Sequence, residues 1–158
     1  MAVDFYLKLD GIQGEATDAN HPNEISVLSF SWGGSQVSSV SSSGGSGAGK
    51  VSLSDLHIVK NYDKASSALF KALVSGQHIK TGTLTAVKAG GGGKPFVQLD
   101  LDELFVTSLQ VSGSSEIPTE SVSFSYNKVK SQYSTQNAQG VLTATGSVTY
   151  DLQANRVS

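Results

Sequence analysis

The feature that most constrains this chain is the regular alternation of apolar and polar residues in several short segments. Apolar side chains occupy every second position from Val3 to Leu9, and Tyr6 falls on the opposite, polar side. Val122 and Phe124 alternate with serines in the same way. Successive side chains of a β-strand point to opposite faces, so a period of two predicts strands with one buried face. The chain is therefore expected to be mainly β.

Further strands are predicted where this alternation recurs, or where apolar residues run between turn residues. They cover residues 24–36, 50–60, 79–89, 95–112, 119–130 and 146–153. In the first of these segments Leu28, Phe30 and Trp32 share one face, which we expect to be buried, while Ser29 and Ser31 share the other. A polar connection is predicted at 10–23, and glycines at 90–93 predict a hairpin loop.

One segment follows the helical period instead. Apolar residues from Ala65 to Leu73 recur at spacings of three and four, which places them on one face of a helix. Asp63 is the predicted N-cap and Gly76 the predicted C-terminal stop. Because the apolar stripe is mostly alanine, we expect the helix to lie close against a sheet.

Length and composition favour a single domain over residues 1–158, rich in turns. The formal net charge is −2 and the single arginine is Arg156, so we do not expect nucleic-acid binding. The chain contains no cysteine and therefore no disulfide. Residues 1–5 lack the features of a Sec signal peptide, and no apolar run approaches the ~20 residues of a membrane helix. We expect synthesis in the cytoplasm and no membrane insertion.

Residues 38–49 contain six serines and four glycines, which predicts a flexible loop. The segment from Gly44 to Lys50 resembles a phosphate-binding P-loop, but Val51 stands where that motif needs Ser or Thr to bind magnesium. A nucleotide site is therefore not expected. If the loop is ordered, we expect it to rest on another copy of the chain. The residues assigned to that contact are Ser41, Ser42, Ser43, Gly44, Gly45, Ser46 and Gly47.

No cluster of residues predicts catalysis or metal binding. His21, His57 and His78 are far apart in the sequence and share no metal-ligand spacing. Asp100 and Asp102 fall on one face of a predicted strand, where a solvated pair is a more common arrangement than an acid–base pair. The sequence therefore predicts no cofactor and no enzymatic activity.

Several segments, taken in order along the chain, resemble the haemolysin-coregulated protein (Hcp) family of the type VI secretion system. They include a Gly-x-x-Gly-Glu turn at 11–15 and a Ser-Trp-Gly sequence at 31–33. The matching segments are 5–15, 24–33, 63–66, 76–78, 88–91, 120–124 and 150–155. Each segment alone is weak, but the ordered set covers nearly the whole chain.

The resemblance implies a closed β-barrel of about seven or more strands with one helix on its side, similar to phage tail tubes. It also implies a homo-hexameric ring that stacks on other rings into a tube. The tube would lie inside a contractile sheath, carry a valine-glycine repeat spike protein at its tip and transport secreted effectors. Ser29 and Ser31 are then expected at the channel wall. Export of the chain itself would use the type VI machine.

A second hypothesis from another class fits the same composition. A monomeric or dimeric β-sandwich binding module, for example one that recognises carbohydrate, would also be mainly β and weakly charged. The two hypotheses differ in assembly state, since only the first requires a ring.

Overall fold

The computed structural model describes residues 2–36, 51–88 and 93–158. Over these ranges the chain forms twelve strands and one helix, which confirms the predicted mainly-β fold with a single helix. The elements are β1 (Val3–Leu9), β2 (Ile25–Val27), β3 (Ser29–Ser31), β4 (Gly34–Gln36), β5 (Val51–Leu53), β6 (Leu56–Asn61), α1 (Ser66–Ser75), β7 (Ile79–Lys88), β8 (Pro95–Ser112), β9 (Thr119–Ser125), β10 (Lys128–Gln136), β11 (Leu142–Asp151) and β12 (Arg156–Val157).

The long strand β8 belongs to two antiparallel arrays of strands. Its first half lies between β7 and β10 in the order β12-β11-β10-β8-β7-β1-β2, which we name the first sheet. Its second half pairs with β9 and continues through β6 to β3, which we name the second sheet. Strands β4 and β5 form a separate ribbon. The ladders follow an open path, so the closed barrel implied by the resemblance is not confirmed.

The hydrophobic core lies between the inward faces of the two sheets and the inner face of α1. Both sheets contribute aliphatic side chains from every second position, which is the alternation seen in the sequence. Fully buried members are Leu7, Ile25, Leu56, Ile58, Ala65, Leu69, Leu104, Val122 and Phe124. Burial of an aliphatic or aromatic side chain of this size stabilises the fold by roughly 1.5–3 kcal/mol.

Helix α1 begins and ends close to the predicted residues. Gly76 forms the C-cap in a left-handed conformation, with φ 66°, as its prediction as a stop requires. The N-cap, however, is Ala65 rather than Asp63. The Asp63 carboxylate still stabilises the start of the helix, because it accepts a hydrogen bond of 2.9 Å from the Ala65 amide. Within the described residues, no helix is both long and apolar enough to span a bilayer.

The prediction for residues 24–36 was wrong at Leu28, which is 53% exposed. Three short strands replace the single predicted one, and β2 pairs with the first sheet while β3 pairs with the second. The alternation slips by one residue between them, so Val27 and Phe30 face the core and Leu28 does not. Trp32 is half-buried and packs against the core edge as expected.

Tyr6 is buried, although the alternation predicted it on the exposed side. Its ring stacks on the His21 imidazole with centroids 4.4 Å apart, and Ala16 and Val87 complete a second, smaller apolar cluster. The connection after β1 folds back over this side of the strand, where the Ala16 amide donates to the Glu24 carbonyl at 2.9 Å. A polar connection thus covers a face that the strand pattern alone marks as solvated.

The prediction of one strand over 119–130 was also wrong, because β9 ends at Ser125 and β10 begins at Lys128. Strand β10 continues to Gln136, beyond the predicted range, and its last residues pair only with β11. Beyond Tyr133 the strands β10 and β11 bury no side chain, so no buried stripe marks this end of the ribbon in the sequence. The hairpin between β7 and β8 is confirmed.

Candidate functional site

The outward face of the second sheet carries mostly polar side chains, five of them serines, with Val59 as the one apolar member. Two cross-strand rows make up this face, each with one residue from β3, β6, β9 and β8. The rows are Ser31–His57–Ser123–Ser108 and Ser29–Val59–Ser121–Gln110. A bulge in β8 between Val106 and Ser108 keeps both rows in register with β9. We refer to these eight residues as the hydroxyl face.

Ser29 and Ser31 lie at one edge of the hydroxyl face, and both are exposed. Phe30 between them packs against the core instead, where its ring meets Phe5 edge-on at 5.1 Å. The side on which the sequence places these two serines therefore agrees with the structure. Their position at a channel wall remains a prediction.

His57 is the one imidazole of the hydroxyl face, and it contacts a serine of the neighbouring strand. Its Nδ1 lies 2.9 Å from Ser123 Oγ, within hydrogen-bonding distance. A catalytic serine–histidine pair also needs a group that orients the imidazole and donors for an oxyanion. No carboxylate hydrogen-bonds to His57 within the described residues. The pair therefore offers hydrogen-bond donors and acceptors to a bound surface rather than an activated nucleophile.

The inward side of the same strands holds a buried polar network. Lys60 Nζ lies 2.6 Å from Glu120 Oε1, 2.9 Å from Asp63 Oδ1 and 3.2 Å from Ser66 Oγ. Lys60 is 0% exposed and Glu120 1% exposed. The Ser66 hydroxyl donates to Glu120 and accepts a hydrogen bond of 2.9 Å from the Asp63 amide. The network fixes the start of α1 to β6 and β9.

Sequence reasoning missed this network, although a signal for it exists. Lys60 is in phase with Leu56 and Ile58 on the buried side of β6, and Glu120 is in phase with Val122 on the buried side of β9. A charged residue on a core-facing position is buried only when it has a partner. Two core-facing residues of opposite charge therefore predict an ion pair between them, even though they lie far apart in the chain.

The two carboxylates predicted on one face of β8 make different contacts. Asp100 accepts hydrogen bonds from Thr83 at 3.1 Å, from Gln98 at 3.0 Å and from Gln132 at 2.7 Å. These donors come from β7, β8 and β10, so the carboxylate links three strands on the outward side of the first sheet. Asp102 lines a separate polar cleft beside Lys128.

The structure does not bring the three histidines together. The imidazole of His21 is buried and lies 3.0 Å from the Glu24 carboxylate, His57 bonds Ser123, and His78 pairs with the exposed Glu103. Among the described residues, no three potential metal ligands converge. The P-loop-like segment at 44–50 and the predicted contact residues Ser41–Gly47 lie outside the described residues.

Residues 6–133 match the family described as "Type VI secretion system effector, Hcp". Protein hcp1 of Pseudomonas aeruginosa is 39% identical over 143 residues, which span 89% of this chain and 88% of that protein.

Comparison with solved structures shows similarity to proteins of the same secretion system. A structure described as that of a type six secretion system protein superposes with a TM-score of 0.93 at 32% identity, covering 99% of this chain and 100% of the other. Hcp1 from Salmonella typhimurium superposes with a TM-score of 0.79 at 33% identity, again covering 99% and 100%. The similarity therefore extends over the whole fold.

Proposed function

The chain belongs to the Hcp family and is a tube and effector protein of the type VI secretion system, and from this premise we propose its assembly and its working surface. Six copies form a ring, and rings stack into the inner tube of the machine. The ring carries or chaperones effectors in its channel. The relatives support this function and not a monomeric carbohydrate-binding module.

The observation that carries the proposal is the chemistry of the hydroxyl face. Its eight residues include no Asp, Glu, Lys or Arg. Hydroxyl, amide and imidazole groups donate and accept hydrogen bonds without repelling either acidic or basic cargo. A channel wall that must accept unrelated proteins needs this property. We therefore assign Ser29 and Ser31, with the rest of the hydroxyl face, to the channel.

We also propose that the two sheets close into one barrel through β2 and β3. These strands are separated by Leu28 alone, and β2 pairs with β1 while β3 pairs with β6. The Leu28 amide donates to the Val59 carbonyl at 2.8 Å, which ties the junction to the second sheet. If β2 and β3 act as one bent strand, the pairing β2-β1-β7-β8-β9-β6-β3 closes on itself. Each strand on this path then has a neighbour on both sides.

The remaining partners follow from the tube role. The tube contacts the contractile sheath on its outside and a valine-glycine repeat spike protein at its end, and the subunit leaves the cell with its cargo from a cytoplasmic pool. The chain acts as one domain without catalysis or cofactor. Ser41–Gly47 contribute to contacts between subunits or rings, so shortening 38–49 should weaken stacking and leave the fold intact.

Negative-stain microscopy and light scattering of the purified chain test the proposal. Annular particles with the mass of six copies are expected. A strict monomer over a wide concentration range would contradict a preformed ring. Microscopy at high concentration then shows whether rings stack end to end.

A further inference from the structure

Two buried polar atoms beside Tyr6 have no hydrogen-bond partner among the described residues. They are Nε2 of His21 and the hydroxyl oxygen of Thr85. His21 is 7% exposed and Thr85 is 6% exposed, and both atoms are closed off from bulk solvent. A buried polar atom without a partner is destabilising, and the great majority of such atoms in folded proteins have one. Each of the two atoms therefore requires a partner that the described side chains and backbone do not supply.

The two atoms lie on the same side of the first sheet, around one aromatic ring. Thr85 of β7 stands directly opposite Tyr6 of β1, and opposed side chains share a face with their Cβ atoms roughly 4.5–5.5 Å apart. The His21 imidazole stacks on the Tyr6 ring with centroids 4.4 Å apart and an angle of 6° between the planes. The atoms are therefore neighbours across the Tyr6 side chain, but they do not bond to each other.

The contact of His21 with Glu24 sets the direction of the imidazole. Nδ1 lies 3.0 Å from the Glu24 carboxylate. A carboxylate accepts hydrogen bonds, so Nδ1 carries the proton and Nε2 of the neutral ring is left as an acceptor. Glu24 directly precedes β2, and β1 lies between β2 and β7 in the first sheet. Because the two ring nitrogens point away from each other, an Nδ1 that faces the β2 side turns Nε2 toward Thr85 on β7.

We infer that one internal water molecule binds between His21 Nε2 and the Thr85 hydroxyl. A water can donate to the imidazole nitrogen and accept from the hydroxyl at the same time, which satisfies both atoms. Buried waters typically make about three hydrogen bonds to polar groups that are otherwise unsatisfied. One imidazole and one hydroxyl are too few ligands for a metal ion. Ala16 and Val87 complete the cluster with apolar surface, so their side chains do not compete for the water.

The water fastens the connection after β1 to the first sheet. His21 belongs to this connection, and its imidazole is held by Glu24 on one flank of β1 and by the water on Thr85 on the other. The same connection touches the residue before α1, where Glu15 accepts a hydrogen bond of 3.1 Å from the Lys64 amide. The water site therefore adds an anchor on β7 to a segment that also meets the start of the helix. This role belongs to the subunit and does not depend on the proposed ring.

A crystal structure of the purified full chain, at a resolution that shows ordered water, tests the inference. One water should lie within hydrogen-bonding distance of both atoms. Thr85→Val keeps the shape of the side chain without its hydroxyl and should lose this water. Amide hydrogen exchange at Ala16 and Asn23, which bond within the connection, should then be roughly three- to tenfold faster, as expected for the loss of one hydrogen bond. Thr81→Val, at an exposed position on the same face of β7, is the control and should keep both the water and the wild-type exchange rates.

Thr85→Ser and Thr85→Ala give a second pair, in case Thr85→Val does not fold. The serine variant keeps a hydroxyl and should retain the water, whereas the alanine variant should lose it. A direct hydrogen bond between His21 and Thr85 in the wild-type crystal structure, or a site without water, would overturn the inference. A water that remains in Thr85→Val, or equal exchange rates in Thr85→Val and Thr81→Val, would overturn it as well.

Discussion

The two faces of the second sheet are made by alternate residues of the same strands, yet they meet opposite requirements. On the outward side Ser31, His57 and Ser123 form part of a hydrogen-bonding surface without carboxylate or ammonium groups. On the inward side Ile58 and Val122 pack in the core. Along one strand, an outward residue that can be substituted without loss of stability is followed directly by an inward residue that cannot. The surface that we propose for cargo can therefore diverge in sequence while the fold stays constant.

Glu120→Ala should produce the largest effect on the inward side. It leaves Lys60 buried beside one carboxylate instead of two, and loss of one partner from a buried ion pair costs about 3–5 kcal/mol. Urea denaturation measures the loss in the free energy of unfolding. Glu116→Ala, which removes an exposed carboxylate from the preceding loop, should leave stability within about 0.5 kcal/mol. Equal effects of the two changes would mean that the network contributes little.

Ile58→Ala should be the next largest change. It opens a cavity at a fully buried position and is expected to cost about 2–5 kcal/mol. Val59→Ala removes apolar atoms one residue further along β6, on the half-buried outward face, and should cost clearly less. Denaturant unfolding of the two variants compares the two faces directly. A larger loss for Val59→Ala would contradict the assignment of the faces.

Ser66→Ala removes one hydroxyl from the buried network. The Asp63 amide and the Glu120 carboxylate each lose a hydrogen-bond partner, which should lower the free energy of unfolding by about 1–3 kcal/mol. Ser67→Ala, at the neighbouring exposed position of α1, should be neutral or slightly stabilising because alanine favours helix. Thermal melts of the pair measure the difference. Identical melting temperatures would argue that the hydroxyl is dispensable.

Ser31→Gln should have the smallest effect on stability, under about 0.5 kcal/mol, because the side chain makes no core contact. The proposed ring should form normally, while co-purification or stabilisation of small effectors should fall, because the proposal places this longer side chain in the channel. Ser147→Gln, exposed on β11 of the first sheet and away from the hydroxyl face, is the control. Loss of the fold would contradict the exposed position of Ser31. Normal cargo handling by an intact ring would exclude a docking role.

The spacing of apolar residues along the chain predicted those elements whose own side chains are buried on one side. Strand β8 was predicted with its observed bounds, and α1 within a few residues, because both carry apolar residues that their own burial requires. Prediction failed at Leu28, where the chain passes between sheets, and at Tyr6, which the connection after β1 covers. The β10–β11 ribbon has no buried stripe to detect. The Lys60–Glu120 pair depends on strand pairing across 60 residues, which no local window contains.

Strand β8 has a mechanical consequence. Its 18 residues form one backbone that belongs to both sheets, with a length of about 60 Å at the usual rise per residue. In the proposed tube, a load that enters a subunit through one sheet would reach the other along the covalent backbone of β8. The chain has no disulfide that could link the two sheets. The shared strand therefore joins the two sheets covalently, in addition to their side-chain packing.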